Sequence, residues 1–201
     1  MMQRQSRTFS RRALLIKTLS CSQPIHRMYR IMPKHCVGIS ADLILQAILK
    51  EKITHIVTVP DTHQKTLLTA IAEHPTLKLV EVCTEDEVVA VMTGLFIGGC
   101  KPIALIQNAG LYACLNSLRG LSLDANIPTC MLIGEYFRDP DSSSRDNAIR
   151  VVNLMEPTLD VWGIRYWRLD FPDDVAQISN AISHAWDNSV PTAILIGSPT
   201  Q

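Results

Sequence analysis

The sequence predicts an α/β domain with a doubly wound, mainly parallel six-stranded sheet and helices on both faces. Segments with apolar residues at helical spacing alternate with short runs rich in Val and Ile. Those runs are apolar almost throughout, as expected of strands buried on both faces of a parallel sheet. Each run also ends in polar or turn-forming residues, so the breaks between elements are legible. With 201 residues, 47% of them hydrophobic, the chain is long enough for one full core.

The elements follow in order. Leu43, Ile44, Ala47 and Ile48 form one face of a helix over residues 42–52, and the β-branched run 53–59 is a strand stopped by Pro60. A helix over 64–73, a strand over 77–83 and a helix over 86–97 come next. They are followed by a strand over 102–106, a helix over 115–121 and a strand over 128–133. A helix near 147–155, a strand over 164–169, a helix over 173–186 and a strand over 192–196 complete the alternation.

The first forty residues stand apart. Residues 1–41 carry eight Lys and Arg and no acid, which leaves eleven basic against nineteen acidic side chains, a net charge of −8, for residues 42–201. An acidic domain is a poor nucleic-acid binder. The Arg- and Ser-rich opening resembles an organellar transit peptide. The run from Ser10 to Lys17 also looks like a twin-arginine signal, but the stretch from Thr18 to Pro24 is too short and polar for export. The simpler expectation is a disordered extension over 1–40, or a start at Met28 or Met32, on a cytoplasmic protein with no membrane span. The folded domain is expected over 41–201. Six cysteines, at 21, 36, 83, 100, 114 and 130, form no Cys-x-x-Cys pair, which suits reduced thiols and no structural metal.

In doubly wound folds ligands meet the loops at the carboxyl ends of the strands. Here those positions hold Pro60-Asp61-Thr62-His63, then Thr84-Glu85, then Gln107-Asn108-Ala109-Gly110, then Glu135 with Arg138. Four consecutive strand ends thus offer polar groups. The ordinary explanations are that Glu85 favours a helix start beside the N-cap Thr84, and that Asn108 caps a strand-to-helix turn. Gly110 lacks a Cβ and permits close approach to a ring or carboxylate. His63 and Lys65, where a helix begins, suit an anionic group, although they would be equally at home as solvated surface residues. His55, His74 and His184 lack partner spacing and are expected to be structural or on the surface. Ser142-Ser143-Ser144 reads as a flexible loop covering the site.

The stretch from Thr84 to Gly94, with Glu85 opening a helix and Gly94 nine positions later, resembles the pyrimidine-binding domain of thiamine-diphosphate-dependent decarboxylases. The run from Lys101 to Leu111 with Asn116, and Val59-Pro60-Asp61-Thr62 with Lys65, are similar to the sulfopyruvate and phosphonopyruvate decarboxylase branch of that family. The resemblance extends from about Ala41 to Pro199. It implies a catalytic Glu85, whose carboxyl group shares a proton with the cofactor's aminopyrimidine ring. It further implies cofactor contacts from Pro60, Thr62, Gln107, Asn108, Gly110 and Asn116, and substrate contacts from His63, Lys65, Asn108 and Arg138. Ala109, Val88 and the Phe137-Arg138-Asp139-Pro140 run depart from the branch's usual residues.

Such enzymes also need a domain that binds Mg2+ and the diphosphate, usually through Gly-Asp-Gly, and none of the nine glycines here lies in one. The resemblance therefore implies an alpha subunit of a hetero-oligomer. Thiamine diphosphate would be shared with a beta subunit, which would hold the Mg2+. The substrate would be a small 2-oxo acid, with sulfopyruvate, going to sulfoacetaldehyde, ahead of phosphonopyruvate. A non-catalytic α/β binding or regulatory module is the alternative from another class. A dinucleotide site is disfavoured because no Gly-x-Gly-x-x-Gly follows the first strand.

Overall fold

The computed structural model describes residues 38–139 and 142–201. Residues 1–37 of the extension expected over 1–40, with Cys21, Met28, Met32 and Cys36, lie outside them. Gly38 to Ser40, assigned to that extension from the sequence, belong to the folded part: Ile39 is fully buried and pairs with Thr200 in a parallel bridge.

Helices and strands alternate as α1 (Ala41–Lys50), β1 (His55–Thr58), α2 (Lys65–Ala72), β2 (Lys78–Glu81), α3 (Glu85–Ile97), β3 (Pro102–Gln107) and α4 (Asn108–Ser117). They continue as β4 (Thr129–Gly134), α5 (Arg150–Asn153), α6 (Met155–Val161), β5 (Arg165–Leu169), α7 (Ala176–Asn188) and β6 (Pro191–Ile196). All strands are parallel, in the order β2-β1-β3-β4-β6-β5. The four inner strands are apolar and buried, as their composition predicts. The edge strands differ: Lys78 and Glu81 of β2 and Arg165 of β5 are exposed, because an edge strand is covered by fewer neighbours.

Side chains alternate across each strand and feed two cores. On one face Ile44 and Ile48 of α1, Leu67 and Ile71 of α2, and Ile178 and Ile182 of α7 pack on Ile56, Leu105, Leu132 and Ile194. On the other, Val88 and Met92 of α3, Leu111 and Cys114 of α4, and Leu159 of α6 pack on Val57, Ile106, Ile133 and Leu195. Truncating a buried Leu or Ile in either layer to Ala costs about 2–5 kcal/mol, so both layers are needed for stability.

Three elements depart from expectation. The helix expected over 115–121 begins at Asn108 and runs into a π-helical segment, Leu118–Asp124. Asn108 and Gly110 look like turn residues in sequence, but Asn108 opens the helix and its side-chain Oδ1 accepts the Ala109 N–H at 3.0 Å. The helix near 147–155 is two short helices, α5 and α6, meeting at Leu154. Pro157 has no N–H to donate back to residue 153, which favours a restart there. The expected helix 173–186 opens with a 3-10 turn, Pro172–Val175, before α7. No helix among the described residues is long and apolar enough to cross a membrane.

The chain goes from β1 outward to β2 and then returns to β3 on the other side of β1. The crevice at this reversal, between the carboxyl ends of β1 and β3, is where open α/β sheets bind ligands. Since β2, β1, β3 and β4 are parallel neighbours, all four polar strand ends lie along one edge of the sheet.

Candidate active site at the strand ends

Asp61, one residue beyond Pro60, organises the mouth of this crevice. It is 4% exposed. Its Oδ1 accepts the His63 backbone N–H at 2.9 Å and the Gln107 Nε2 at 3.1 Å, and its Oδ2 accepts the Gln64 Nε2 at 3.1 Å. The Gln64 Nε2 also donates to the carbonyl of Ile106 at 3.0 Å, tying the β1 loop to the end of β3. Gly134, at the end of β4, makes room for this cluster, since an added Cβ would lie 2.6 Å from Asp61 Oδ2. The first contact of Asp61, to an N–H two residues on, is an Asx turn. A carboxylate after Pro60 with donors close behind was the sequence signal for this hub, and Asp61 was not among the expected site residues.

His63, expected at the surface or at a substrate, is buried beneath the strand ends. Its Nε2 lies 3.1 Å from the Ile196 carbonyl, and its own carbonyl accepts the Thr200 N–H at 3.1 Å. Burial pushes its pKa down, outweighing Asp61, the backbone carbonyls and Glu135, so the neutral ring latches the β1 loop to the end of β6. Pro60, Thr62 and Lys65 are exposed and line a groove of about 370 Å³ that reaches Leu68 on α2 and Glu81 on β2.

Glu85 is the first residue of α3 and is half-buried. Its side chain lies on the first turn of α4: a Cβ added to Gly110 would come within 2.6 Å of the Glu85 carboxyl carbon. One turn further along α4, burial pushes the Cys114 thiol up to about 12, with the Glu85 charge adding to the effect. Capping of α3 falls to Glu87, whose Oε2 accepts the backbone N–H groups of Cys83 at 2.9 Å and Thr84 at 3.3 Å. Helix capping therefore does not account for Glu85. Its carboxylate has no hydrogen-bond partner among the described residues.

The other expected residues divide. Gln107 is half-buried and held by Asp61. Asn108 is buried with both ends of its amide engaged, Nδ2 on the Tyr136 carbonyl at 2.9 Å and Oδ1 on Ala109 N–H, so it ties β3 to the loop after β4. Asn116 is exposed at the far end of α4, roughly 12 Å along the axis from Asn108, and accepts from Arg119 at 3.1 Å.

The ends of β4, β5 and β6 carry a different structure. Glu135 is fully buried and accepts from Arg168 Nη2 at 2.5 Å and from Ser144 at 2.6 Å, with Arg138 Nε at 3.6 Å. Arg138 pairs with Asp170, and Gly197 is the position that leaves room for this pair. Arg168 bridges Glu135, Asp170 and Glu156, and Glu156 pairs in turn with Arg145. Burial pushes the Asp170 carboxyl up, but Arg168 and Arg138 outweigh it and hold the group below its usual range. Arg138, expected to meet substrate, is thus committed to two carboxylates. Ser144, expected in a flexible loop, is buried within the network and opens a 3-10 turn, Ser144–Asp146.

No family model matches the chain. A sulfopyruvate decarboxylase subunit alpha from Methanococcus maripaludis is 25% identical over 158 residues, covering 78% of this chain and 93% of that protein. The subunit alpha of Methanocaldococcus jannaschii is 27% identical over 153 residues, covering 76% of this chain and 89% of that protein. A sulfopyruvate decarboxylase from Methanosarcina acetivorans is 26% identical over 140 residues, which are 69% of this chain but 35% of that longer protein. Among solved structures, benzoylformate decarboxylase from Polynucleobacter necessarius superposes with a TM-score of 0.61 at 17% identity, over 79% of this chain and 30% of that one. The 2-oxoglutarate:ferredoxin oxidoreductase from Magnetococcus marinus gives 0.64 at 15% identity, over 79% of this chain and 28% of that one. The chain thus spans about a third of the solved enzymes it resembles. In sequence it is similar to the sulfopyruvate decarboxylase alpha subunits over nearly their whole length, and its fold is that of one domain of larger enzymes acting on 2-oxo acids.

Proposed function

We propose that this chain is the alpha subunit of a thiamine-diphosphate-dependent decarboxylase of a 3-substituted pyruvate, with sulfopyruvate, converted to sulfoacetaldehyde, as the favoured substrate. The observation that carries the proposal is the half-buried Glu85 carboxylate, unpartnered among the described residues and laid against a glycine that leaves it room. The sequence relatives and the fold support the same assignment.

The residues present fit the pyrimidine end of thiamine diphosphate. Gly110 keeps the first turn of α4 free of a side chain, so the Glu85 carboxyl can lie against that turn. When bound, the cofactor supplies the nucleophilic carbon and the electron sink that a decarboxylation needs. Glu85 would share a proton between its carboxyl oxygen and a ring nitrogen of the bound cofactor. Gln107, fixed by Asp61, lines the same crevice. Lys65, exposed at the first turn of α2, offers positive charge to the substrate's second anionic group.

Mg2+ and the diphosphate fall to a beta subunit in this proposal. Among the described residues no group of three or more His, Cys, Asp or Glu side chains is arranged to hold a metal. The relatives named as subunits alpha imply a partner chain, and in the Methanosarcina relative about two thirds of the protein lies beyond the similar region, room for a second domain. Gly94 on α3 is exposed, and no described residue lies within 4 Å of an added Cβ, so its surface offers room for such a partner.

Co-expression with a chain carrying a Gly-Asp-Gly domain, followed by assay of carbon dioxide release with thiamine diphosphate and Mg2+, tests the proposal. Turnover of sulfopyruvate ahead of phosphonopyruvate is expected. Turnover that persists without the cofactor, or none with any 2-oxo acid, contradicts it.

A further inference from the structure

We infer that Asp61 is a positioning residue: it turns the Gln107 side chain so that its carbonyl oxygen, and not its NH2 group, is offered to the ligand in the β1–β3 crevice. The assignment rests on the site proposed above and adds to it the kind of group that the ligand must present there.

An ionised carboxylate only accepts hydrogen bonds. Asp61 faces three donors, the His63 N–H, the Gln107 Nε2 and the Gln64 Nε2, within 3.1 Å. At 4% exposure it has little water to satisfy it instead. The Gln107 amide is therefore held NH2 inward by a charge-assisted bond, the stronger class of hydrogen bond. Turned the other way, its oxygen would meet a carboxylate. The Gln107 oxygen has no partner among the described residues, and the residue is half-buried at the carboxyl end of β3, beside the reversal in strand order. Two further features hold the hub in place. The Gln64 NH2 is anchored on the Ile106 carbonyl as well as on Asp61, and Gly134 admits the cluster where any Cβ would collide with it.

The ligand group that meets Gln107 must then be a hydrogen-bond donor, an amino or hydroxyl group. A carboxylate, sulfonate or phosphonate would face both the Gln107 oxygen and the charge of Asp61 behind it. The anionic parts of a substrate must bind elsewhere in the crevice. An Asn at position 61 has a carbonyl on only one side, so one set of donors would face another NH2 and the Gln107 amide would be free to turn over.

The test begins with the unmutated full chain, 15N-labelled, and needs no assumption about activity. The Gln107 NH2 and the His63 N–H share one acceptor oxygen, so a nuclear Overhauser cross-peak between them is expected. The Gln107 NH2 should also exchange with water about tenfold more slowly than in the Asp61→Asn chain. Absence of the cross-peak, or equal exchange in both chains, overturns the inference. The second arm uses the chain with its partner subunit and compares Asp61→Asn, Gln107→Ala and the double variant. If Asp61 acts through Gln107, each single change lowers kcat/KM by about tenfold or more, and the double variant is no worse than Gln107→Ala alone. Effects that multiply would overturn the positioning role. A cross-peak and slow exchange in a chain that decarboxylates nothing would uphold the orientation of Gln107 and reject the decarboxylase assignment instead.

Discussion

The two halves of the carboxyl edge of this sheet treat charge in opposite ways. Around β4, β5 and β6, Glu135, Arg138, Arg168, Asp170 and Glu156 pair with one another, so buried charge is used to lock loops together. Around β1 and β3, Asp61 accepts three protein donors, while Glu85 and the Gln107 oxygen are left without protein partners among the described residues. A paired charge is stable and occupied. An unpartnered, half-buried one is available to a ligand. The contrast teaches that function should be sought where pairing stops, although both halves look equally polar in sequence.

The largest expected effect breaks the paired half. Glu135→Ala leaves Arg168 and Arg138 short of a buried partner and should cost about 3–5 kcal/mol of stability, measurable by urea unfolding. A loss under 1 kcal/mol would mean that solvent already serves these guanidinium groups.

Gly110→Ala sharpens the comparison from the other side. The new Cβ would push the Glu85 carboxyl from its seat, and a misplacement of this size should lower kcat about 100-fold. Because Ala is the better helix former, the melting temperature should hold or rise. Activity and stability then move apart, as expected of a site residue and not of a structural one.

The pH dependence of stability is a smaller effect. The His63 pKa is lowered by folding, so its contribution is complete above the unfolded value of about 6.5 and fades as pH falls through the folded value. Asp170 is also held low, so its contribution is complete above about 3.8 and is lost in stronger acid. Unfolding midpoints should therefore fall in two stages, and Asp170→Asn should remove the acid stage while leaving the His63 stage in place.

Much of this was legible in the sequence. Alternating helical and apolar segments marked all six strands, and the polar residues after the first four of them marked the edge where the candidate site is proposed. Glu85 stood out through the resemblance of the stretch from Thr84 to Gly94 to the pyrimidine-binding domain of thiamine-diphosphate-dependent decarboxylases. What stayed hidden depends on partners far along the chain. Arg168 and Glu135 are 33 residues apart, and no local pattern shows that they meet. His63 looked solvated because its partner, the Ile196 carbonyl, lies 133 residues away. Asn108 and Gly110 suggested a turn, since both are poor helix formers, and tertiary packing overrode that preference.

The most direct test of the central claim is Glu85→Gln in the assembled enzyme. The change keeps shape and volume and removes only the carboxyl group's capacity to share a proton. Turnover should fall by about 100-fold or more, with the melting temperature and the affinity for the partner subunit unchanged. Undiminished turnover in Glu85→Gln would contradict the assignment of this carboxylate as the group that activates the cofactor.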